Sequence, residues 1–209
     1  MVAPATAKRW LDKAGFRNYC FVSYPHISDQ VTEFAEKIQV GLRTELENFV
    51  SKPIVYLDKH IPPGADWPED LRQNLCTSVA MVAILTPIYL ENEHEWCGRE
   101  WAAMAGLGEL RMPNSSLKPI IPVFFRPTEL PHAAGARQPI DLSRVSLQGR
   151  RYYSTQAFSS AILRIKDQVI EIGRIMHDNR VYAKVDGFVL PERSVFRRSR
   201  KQAPPLRVA

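Results

Sequence analysis

The run Trp96-Cys97-Gly98-Arg99-Glu100-Trp101 combines a carboxylate, a cation and two indole rings within six residues. In a helix, Trp96 and Glu100 lie four positions apart and share one face. A carboxylate beside an aromatic ring at the mouth of an apolar pocket can stabilise a positive charge that develops on a bound molecule. The alternative is that Glu100 is a solvated helix acid and Trp96 a packing residue, and spacing alone leaves both interpretations open.

Several common chemistries are excluded because their motifs are absent from the sequence. Neither a Walker motif nor G-x-G-x-x-G follows a predicted strand, and the G-x-S-x-G elbow of many hydrolases does not occur. A phospho-receiver needs an acidic pair after its first strand, where this chain has Ser23-Tyr24-Pro25-His26. The three cysteines, Cys20, Cys76 and Cys97, lack the paired spacing of a zinc site or a disulfide framework, so we expect no metal.

The hydrophobic pattern predicts strands that alternate with helices. Apolar runs at residues 19–23, 53–57, 79–85 and 119–125 are typical of buried strands, and a weaker fifth strand falls near residues 151–153. Helices are predicted from Ser28-Asp29, from Pro68 to about Ser78, and over residues 95–110. The first and last helices carry regular apolar stripes, formed by Val31, Phe34, Ala35, Ile38, Leu42, Leu46 and Phe49 and by Phe158, Ile162, Ile165, Val169, Ile172 and Met176.

This alternation predicts an α/β fold, a flavodoxin-like doubly wound parallel sheet of five strands in the order 2-1-3-4-5, with helices on both faces. In such sheets a ligand binds at the carboxyl ends of the strands, where the strand order reverses. The predicted crevice is therefore lined by residues 23–26 and 86–94, and the loop over residues 58–67 closes one side.

The net charge of +6 on 209 residues is concentrated near the end of the chain. Residues 191–209 contain six cations and one acid, a net charge of +5, which leaves +1 for residues 1–190. We predict a flexible lead-in over residues 1–17, one domain over residues 18–180 and a basic, disordered tail over residues 181–209. The absence of a signal peptide, of a membrane-spanning run and of paired cysteines favours a cytoplasmic protein.

Three segments in the predicted order resemble the signature boxes of Toll/interleukin-1 receptor (TIR) domains. The first is Phe21-Val22-Ser23-Tyr24, and the second is Tyr56-Leu57-Asp58 with Ile61, Gly64 and Trp67, which is similar to the bacterial form of that box. The third comprises Leu85-Thr86-Pro87, Tyr89-Leu90 and then Trp96-Cys97 with Glu100. The resemblance, to a stand-alone bacterial-type TIR protein, extends from about Tyr19 to Met176 and implies the same five-stranded sheet.

The resemblance implies an NAD+ nucleosidase in which Glu100 is the catalytic residue. NAD+ would be the substrate, no further cofactor is implied, and the product would be ADP-ribose or a cyclised form of it, in antiviral defence or immune-like signalling. The side chains that we expect to contact the substrate are Ser23, Tyr24, Lys59, Trp96 and Arg99. For Tyr24 and Trp96 packing at the rim is the alternative role, and for Lys59 and Arg99 it is a solvated surface charge.

The resemblance also implies self-association through TIR–TIR contacts. The loop after the second strand would take part, through Ile61, Pro62, Pro63, Gly64 and Trp67. Some family members are scaffolds without activity, so a non-catalytic TIR domain that signals by homotypic contact is the alternative function. We expect the activating signal to come from a separate sensor or effector protein or from a small molecule, and nucleic-acid binding only through the basic tail.

Overall fold

The computed structural model describes residues 11–58, 67–89, 91, 95–128, 130, 138–147, 149, 151–183 and 187–191. The strands are β1 (Asn18–Ser23), β2 (Val55–Leu57), β3 (Ser78–Leu85), β4 (Ile120–Phe124) and β5 (Ile140–Asp141). The helices are α1 (Asp29–Glu47), α2 (Trp67–Cys76), α3 (Glu95–Arg111) and α4 (Gln156–Asp178). Strands and helices therefore alternate from β1 to β4 as the hydrophobic pattern predicts, and β5 follows β4 with no helix between them in the described residues.

Within the described residues, the five strands form one parallel sheet in the order β2-β1-β3-β4-β5. Cys20 of β1 lies opposite Val55 of β2 on one side and opposite Ala80 of β3 on the other. The chain thus reverses its direction of winding between β1 and β3. The predicted strand order is confirmed, and it places the reversal point at the carboxyl ends of β1 and β3.

Apolar side chains that alternate along the strands divide the core into two clusters. The first cluster contains Cys20 and Val22 of β1 and is covered by α1 and α4. The second contains Phe21 of β1 and is covered by α2 and α3. Because successive strand residues point to opposite faces, Ser23 lies on the same face as Phe21, and so on the α3 side of the sheet. Helices therefore cover both faces, as predicted.

The first helix has the predicted cap, and both the first and the last helix have the predicted stripes. The hydroxyl of Ser28 accepts a hydrogen bond from the backbone N–H of Val31, and Thr155 caps α4 in the same way. Every residue of the two predicted stripes is buried except Phe49, which follows the end of α1 and is 41% exposed. Among the described residues, no helix combines the length and the apolar character that a bilayer crossing requires.

The fifth strand lies upstream of its predicted position. Ile140 and Asp141 pair with Val123 and Phe124 of β4, whereas residues 152–154 form a single 3₁₀ turn. The ring of Tyr152 packs between α1 and α4, with its centroid 5.7 Å from that of Phe34 and 5.8 Å from that of Phe158. The apolar character that suggested a strand at 151–153 is thus used in core packing, and that prediction is wrong.

The folded domain extends beyond both predicted boundaries. Leu11, Ala14 and Phe16 are buried in the first core cluster, so residues 11–17 are not a flexible lead-in. At the other end, Val181 packs against the first cluster and Leu190 is buried in the second. Apolar side chains in both segments cover the sheet and its helices, which explains why the boundaries at 17 and 180 are wrong. Residues 1–10 and 192–209, with the six cations counted in residues 191–209, lie outside the described part of the chain.

Candidate active site

Three side chains from three different elements form a hydrogen-bonded chain at the carboxyl edge of the sheet. Ser23 ends β1, Tyr89 lies in the turn after β3, and Glu100 lies in the second turn of α3. The hydroxyl of Ser23 donates a hydrogen bond to Oε2 of Glu100, and Oη of Tyr89 lies 2.5 Å from Oγ of Ser23. Because Ser23 has a single hydroxyl proton, the phenol of Tyr89 donates to Ser23.

Burial dominates the electrostatics of Glu100, whose residue is only 5% exposed. Loss of hydration raises the pKa of the Glu100 carboxyl to about 8, because it disfavours the charged form. The hydrogen bond from Ser23 opposes this shift, and the negative charge of Asp58 adds to it. The carboxyl is therefore mostly protonated at neutral pH in the unliganded protein, and a cation at the site would favour its ionisation.

Asp58 supplies a second negative charge near the carboxyl edge. It directly follows β2, and its charge contributes to the raised pKa values of Glu100, Tyr24 and Cys97. Asp58 and Tyr89 both fall in the ranges predicted to border the crevice, 58–67 and 86–94, but neither is predicted from the sequence to contact the substrate. The signal that could have identified both is their position, since each follows a strand at the edge where the ligand crevice is expected.

Tyr24 lies beside the end of β1 and stacks on His26. The two ring centroids are 4.4 Å apart, and the planes differ by 26°. Burial, with a contribution from Asp58, raises the pKa of the Tyr24 phenol to about 12, so this group stays neutral at physiological pH. Tyr24 follows Ser23 in the chain, but it is 5% exposed and belongs to the first core cluster.

The rest of the buried face of α3 forms an apolar floor around Glu100. The rings of Trp101 and Tyr89 meet edge to face, with centroids 6.3 Å apart. Cys97 is buried one turn before Glu100, and burial together with the charge of Glu100 raises the pKa of its thiol well above the usual value. This protonated, enclosed thiol is a poor nucleophile.

Trp96 and Arg99 form a pair on the half-buried side of α3. The Arg99 guanidinium stacks on the Trp96 ring, with its central carbon 4.2 Å from the ring centroid. Its Nη1 lies 3.7 Å from Oε1 of Glu95, and its Nε donates a 2.9 Å hydrogen bond to the carbonyl oxygen of Pro191. The structure thus gives Arg99 three protein partners.

The loop predicted to take part in substrate contact and self-association is largely outside the described residues. Lys59, Ile61, Pro62, Pro63 and Gly64 fall in that gap, and Trp67 is described only as the first residue of α2. Their roles stay predictions. In the described part of the chain, no group of three or more His, Cys, Asp or Glu side chains is arranged to hold a metal ion.

Comparison with known proteins gives the chain its family. It is similar in structure to the TIR domain of the Toll-related receptor TRR-2 from Hydra magnipapillata, with 15% identity and a TM-score of 0.47 over 74% of this chain and 99% of that one. No curated protein matches the sequence. The family model described as TIR domain matches residues 20–153, a segment that includes Ser23, Tyr89 and Glu100. The match covers more than half of the chain, and the protein therefore belongs to the TIR domain family.

Proposed function

We propose that this TIR domain cleaves the bond between nicotinamide and ribose in NAD+, with Glu100 as the catalytic residue. The observation that carries the proposal is the hydrogen-bonded chain from Tyr89 through Ser23 to Glu100. It holds a single carboxyl group in a largely apolar environment at the carboxyl edge of the sheet, where ligands of doubly wound folds bind. The antiviral or immune-like signalling role implied by the resemblance belongs to the same proposal.

Cleavage of NAD+ needs few catalytic groups from the protein because nicotinamide is a good leaving group. When the bond between ribose C1′ and the pyridinium nitrogen breaks, its electron pair stays on nitrogen, and nicotinamide leaves as a neutral base. No general acid is required, in contrast to glycoside hydrolysis, where the leaving oxygen must be protonated. The ribosyl group becomes cationic, and water attacks C1′ and loses a proton to the solvent to give ADP-ribose. Attack by a ring nitrogen of the adenine would give the cyclised product.

In this mechanism the Glu100 carboxylate stabilises the ribosyl cation and can accept hydrogen bonds from ribose hydroxyls. A carboxylate in a buried site interacts with a cation more strongly than it would in water, since little solvent screens the pair. The hydroxyl of Ser23 orients the carboxylate, and Tyr89 orients Ser23. Bound NAD+ brings the positive nicotinamide ring to the site, so substrate binding favours the ionised form of Glu100.

The aromatic side chains supply the binding surfaces in the proposal. Tyr24, next to Ser23, and Trp96, one turn before Glu100, would stack on the nicotinamide or adenine ring. Lys59 would meet the pyrophosphate. The loop with Ile61, Pro62, Pro63, Gly64 and Trp67 would contact a neighbouring copy, so that catalysis takes place in an assembly.

The proposal is tested by nicotinamide release from NAD+, with the purified protein measured as a monomer and under crowding conditions that drive assembly. Glu100→Gln should reduce the rate by at least 100-fold, because the amide has similar volume but no charge. The matched control is Glu109→Gln on the same helix, which removes an acid that is 64% exposed and paired with Lys118. Activity that survives Glu100→Gln would contradict the catalytic role of Glu100. A wild type that is inactive in every assembled state would contradict the proposal that the protein is an enzyme.

The second candidate is a non-catalytic scaffold that signals by TIR–TIR contact. The observation in its favour is the burial of Glu100, which leaves little of the carboxyl open to a ligand in the isolated chain. A scaffold should assemble, as measured by light scattering, without consuming NAD+. Its assembly should also be indifferent to Glu100→Gln.

A further inference from the structure

The segment over residues 187–191, here called the strap, lies across α2 and α3. Leu190 is its buried anchor, 7% exposed within the second core cluster, and Phe188 packs against the same cluster. Val189, between them, points to solvent and is 77% exposed. The alternation of exposed and enclosed side chains shows an extended segment fixed on one side.

Two arginines from different helices hold the main chain of the strap. Nη1 of Arg72, on α2, donates a 3.1 Å hydrogen bond to the carbonyl oxygen of Phe188. Nε of Arg99, on α3, donates to the carbonyl oxygen of Pro191 at 2.9 Å. Arg72 is itself oriented by Glu69, whose carboxylate oxygens accept at 2.6 and 2.7 Å. The strap therefore ties α2 to the first turns of α3.

The end of the strap determines where the Arg99 guanidinium lies. A guanidinium group is planar, so the hydrogen bond from Nε to Pro191 and the contact of Nη1 with Glu95 together orient the whole group. One face of that plane rests on the indole of Trp96, and Nη1 faces Glu95. Trp96 is thus held on a surface that the strap orients, one helical turn before Glu100.

We propose that the strap and Arg99 together position Trp96 at the mouth of the candidate active site, with Arg99 acting as a positioning residue. This inference rests on the proposed function, in which Trp96 stacks on a ring of NAD+. It gives Arg99 a role that differs from the substrate contact expected from the sequence. The adenine ring, taken as the stacking partner of Trp96, does not react in hydrolysis, so correct placement of Trp96 strengthens binding of the substrate and of the transition state equally.

Two variants test the contacts between the strap, Arg99 and Trp96, one in the strap and one on α3. Leu190→Ala removes the anchor of the strap without changing α3, and Arg99→Ala removes the group on which Trp96 rests. Each should raise the KM for NAD+ roughly tenfold and leave kcat within about twofold, the signature of lost uniform binding. The double variant should resemble Arg99→Ala alone, because both changes interrupt one chain of contacts.

The conservative variant and the matched control separate positioning from general stability. Arg99→Lys keeps a cation near Glu95 but has no planar guanidinium, so it should show most of the increase in KM. Arg174→Ala is the control, since it removes an arginine paired with Glu171 and Asp178 on the remote helix α4. It should leave KM unchanged. Thermal unfolding of each variant confirms that it is folded.

A readout that does not depend on activity keeps the inference separate from the proposed function. Amide hydrogen exchange over residues 99–103, whose N–H groups are the first in α3 with intrahelical acceptors, should accelerate about fivefold or more in Leu190→Ala and Arg99→Ala and not in Arg174→Ala. Unchanged exchange in both variants would contradict the claim that the strap and Arg99 hold the start of α3, whether or not the protein cleaves NAD+. Faster exchange with an unchanged KM would overturn the positioning role. If the wild type releases no nicotinamide at all, the proposed function fails, and with it the role in substrate binding, while the exchange data still decide the contact with α3.

Discussion

The hydroxyl of Ser23, the last residue of β1, donates a hydrogen bond to the carboxylate oxygen of Glu100 on α3. The two residues are far apart in the sequence, and the bond joins the sheet to the helix that covers it. Burial disfavours the carboxylate form of Glu100, and Ser23 is the described neighbour that favours it. The ionisation of the candidate catalytic group therefore depends on the end of the first strand.

Replacement of Ser23 by alanine should weaken catalysis and shift its pH dependence. Without the donor, the pKa of Glu100 should rise further above 8, because the remaining influences, burial and Asp58, both raise it. A hydrogen bond to a charged group contributes about 1.5–3 kcal/mol, so kcat/KM at pH 7.5 should fall about 10- to 100-fold. Nicotinamide release across a pH series measures both effects.

Tyr89→Phe should give a smaller loss than Ser23→Ala, since it removes only the phenol that donates to Ser23. Ser78→Ala is the matched control for removal of a buried serine. Ser78 is enclosed at the opposite end of β3, where its hydroxyl donates to the carbonyl oxygen of Asn74. A loss of kcat/KM in Ser78→Ala as large as in Ser23→Ala would show that the effect comes from stability and not from the site.

The wild type should become more active as the pH rises from 6 to 8. In the proposed mechanism the catalytic form is the carboxylate of Glu100, whose pKa in the free protein is about 8. Below that value the ionised fraction falls tenfold per pH unit, so log kcat/KM should rise with a slope near one and level off above about pH 8. The pKa seen in kcat should be lower, because the bound nicotinamide cation favours the carboxylate. A flat kcat/KM profile between pH 6 and 9 would contradict a role for ionised Glu100.

The features of the fold that could be predicted are those set by local periodicity. The apolar runs of β1, β3 and β4 and the stripes of α1 and α4 are long enough to define a period, and the strand order follows from their alternation. Strand β5 has two residues, Ile140 and Asp141, which is too short for any pattern to show. Its position depends on pairing with β4. Tyr152 packs in the core outside any strand, and in the sequence a buried aromatic residue of this kind cannot be told from a strand residue.

In the candidate site, too, the residues set by local sequence could be predicted, and the contacts between distant residues could not. Glu100 and Trp96 share a motif within one helix, and Ser23 follows from the rule that ligands bind at strand ends. The donation from Tyr89 to Ser23 depends on the turn after β3, which brings together residues that are 66 positions apart. The bond between Arg99 and Pro191 spans 92 positions. Contacts of this kind arise from tertiary packing, so the spacing of residues in the sequence does not predict them.

Two glycines on α3 should respond in opposite directions to alanine. A Cβ at Gly108 would lie 2.7 Å from Cδ and 2.8 Å from Cγ of Pro119, the residue before β4. Gly108→Ala should therefore reduce the free energy of unfolding by about 1–3 kcal/mol through overpacking. A Cβ at Gly106 meets nothing within 4 Å, so Gly106→Ala should increase that free energy by up to about 1 kcal/mol through helix propensity. Urea denaturation measures both, and equal effects would contradict the packing of α3 against Pro119.

The buried Glu100 should also make the stability of the fold depend on pH. Its pKa is about 8 in the folded protein and near the usual 4.5 in the unfolded chain. Between these values the folded state holds a proton that the unfolded state has lost, so the free energy of unfolding should fall as the pH rises. The slope from this group is at most about 1.4 kcal/mol per pH unit, and the effect should end above pH 8.

Glu100→Gln removes this dependence because the amide does not titrate. Its free energy of unfolding should match that of the wild type near pH 4–5 and exceed it by an amount on the order of 2–4 kcal/mol at pH 8. Urea denaturation of both proteins at several pH values measures the difference, and Glu109→Gln serves as the control because Glu109 is largely exposed. A difference that stays constant from pH 5 to pH 8 would show that Glu100 is ionised throughout this range. The raised pKa, and the rise of activity with pH that follows from it, would then both be wrong.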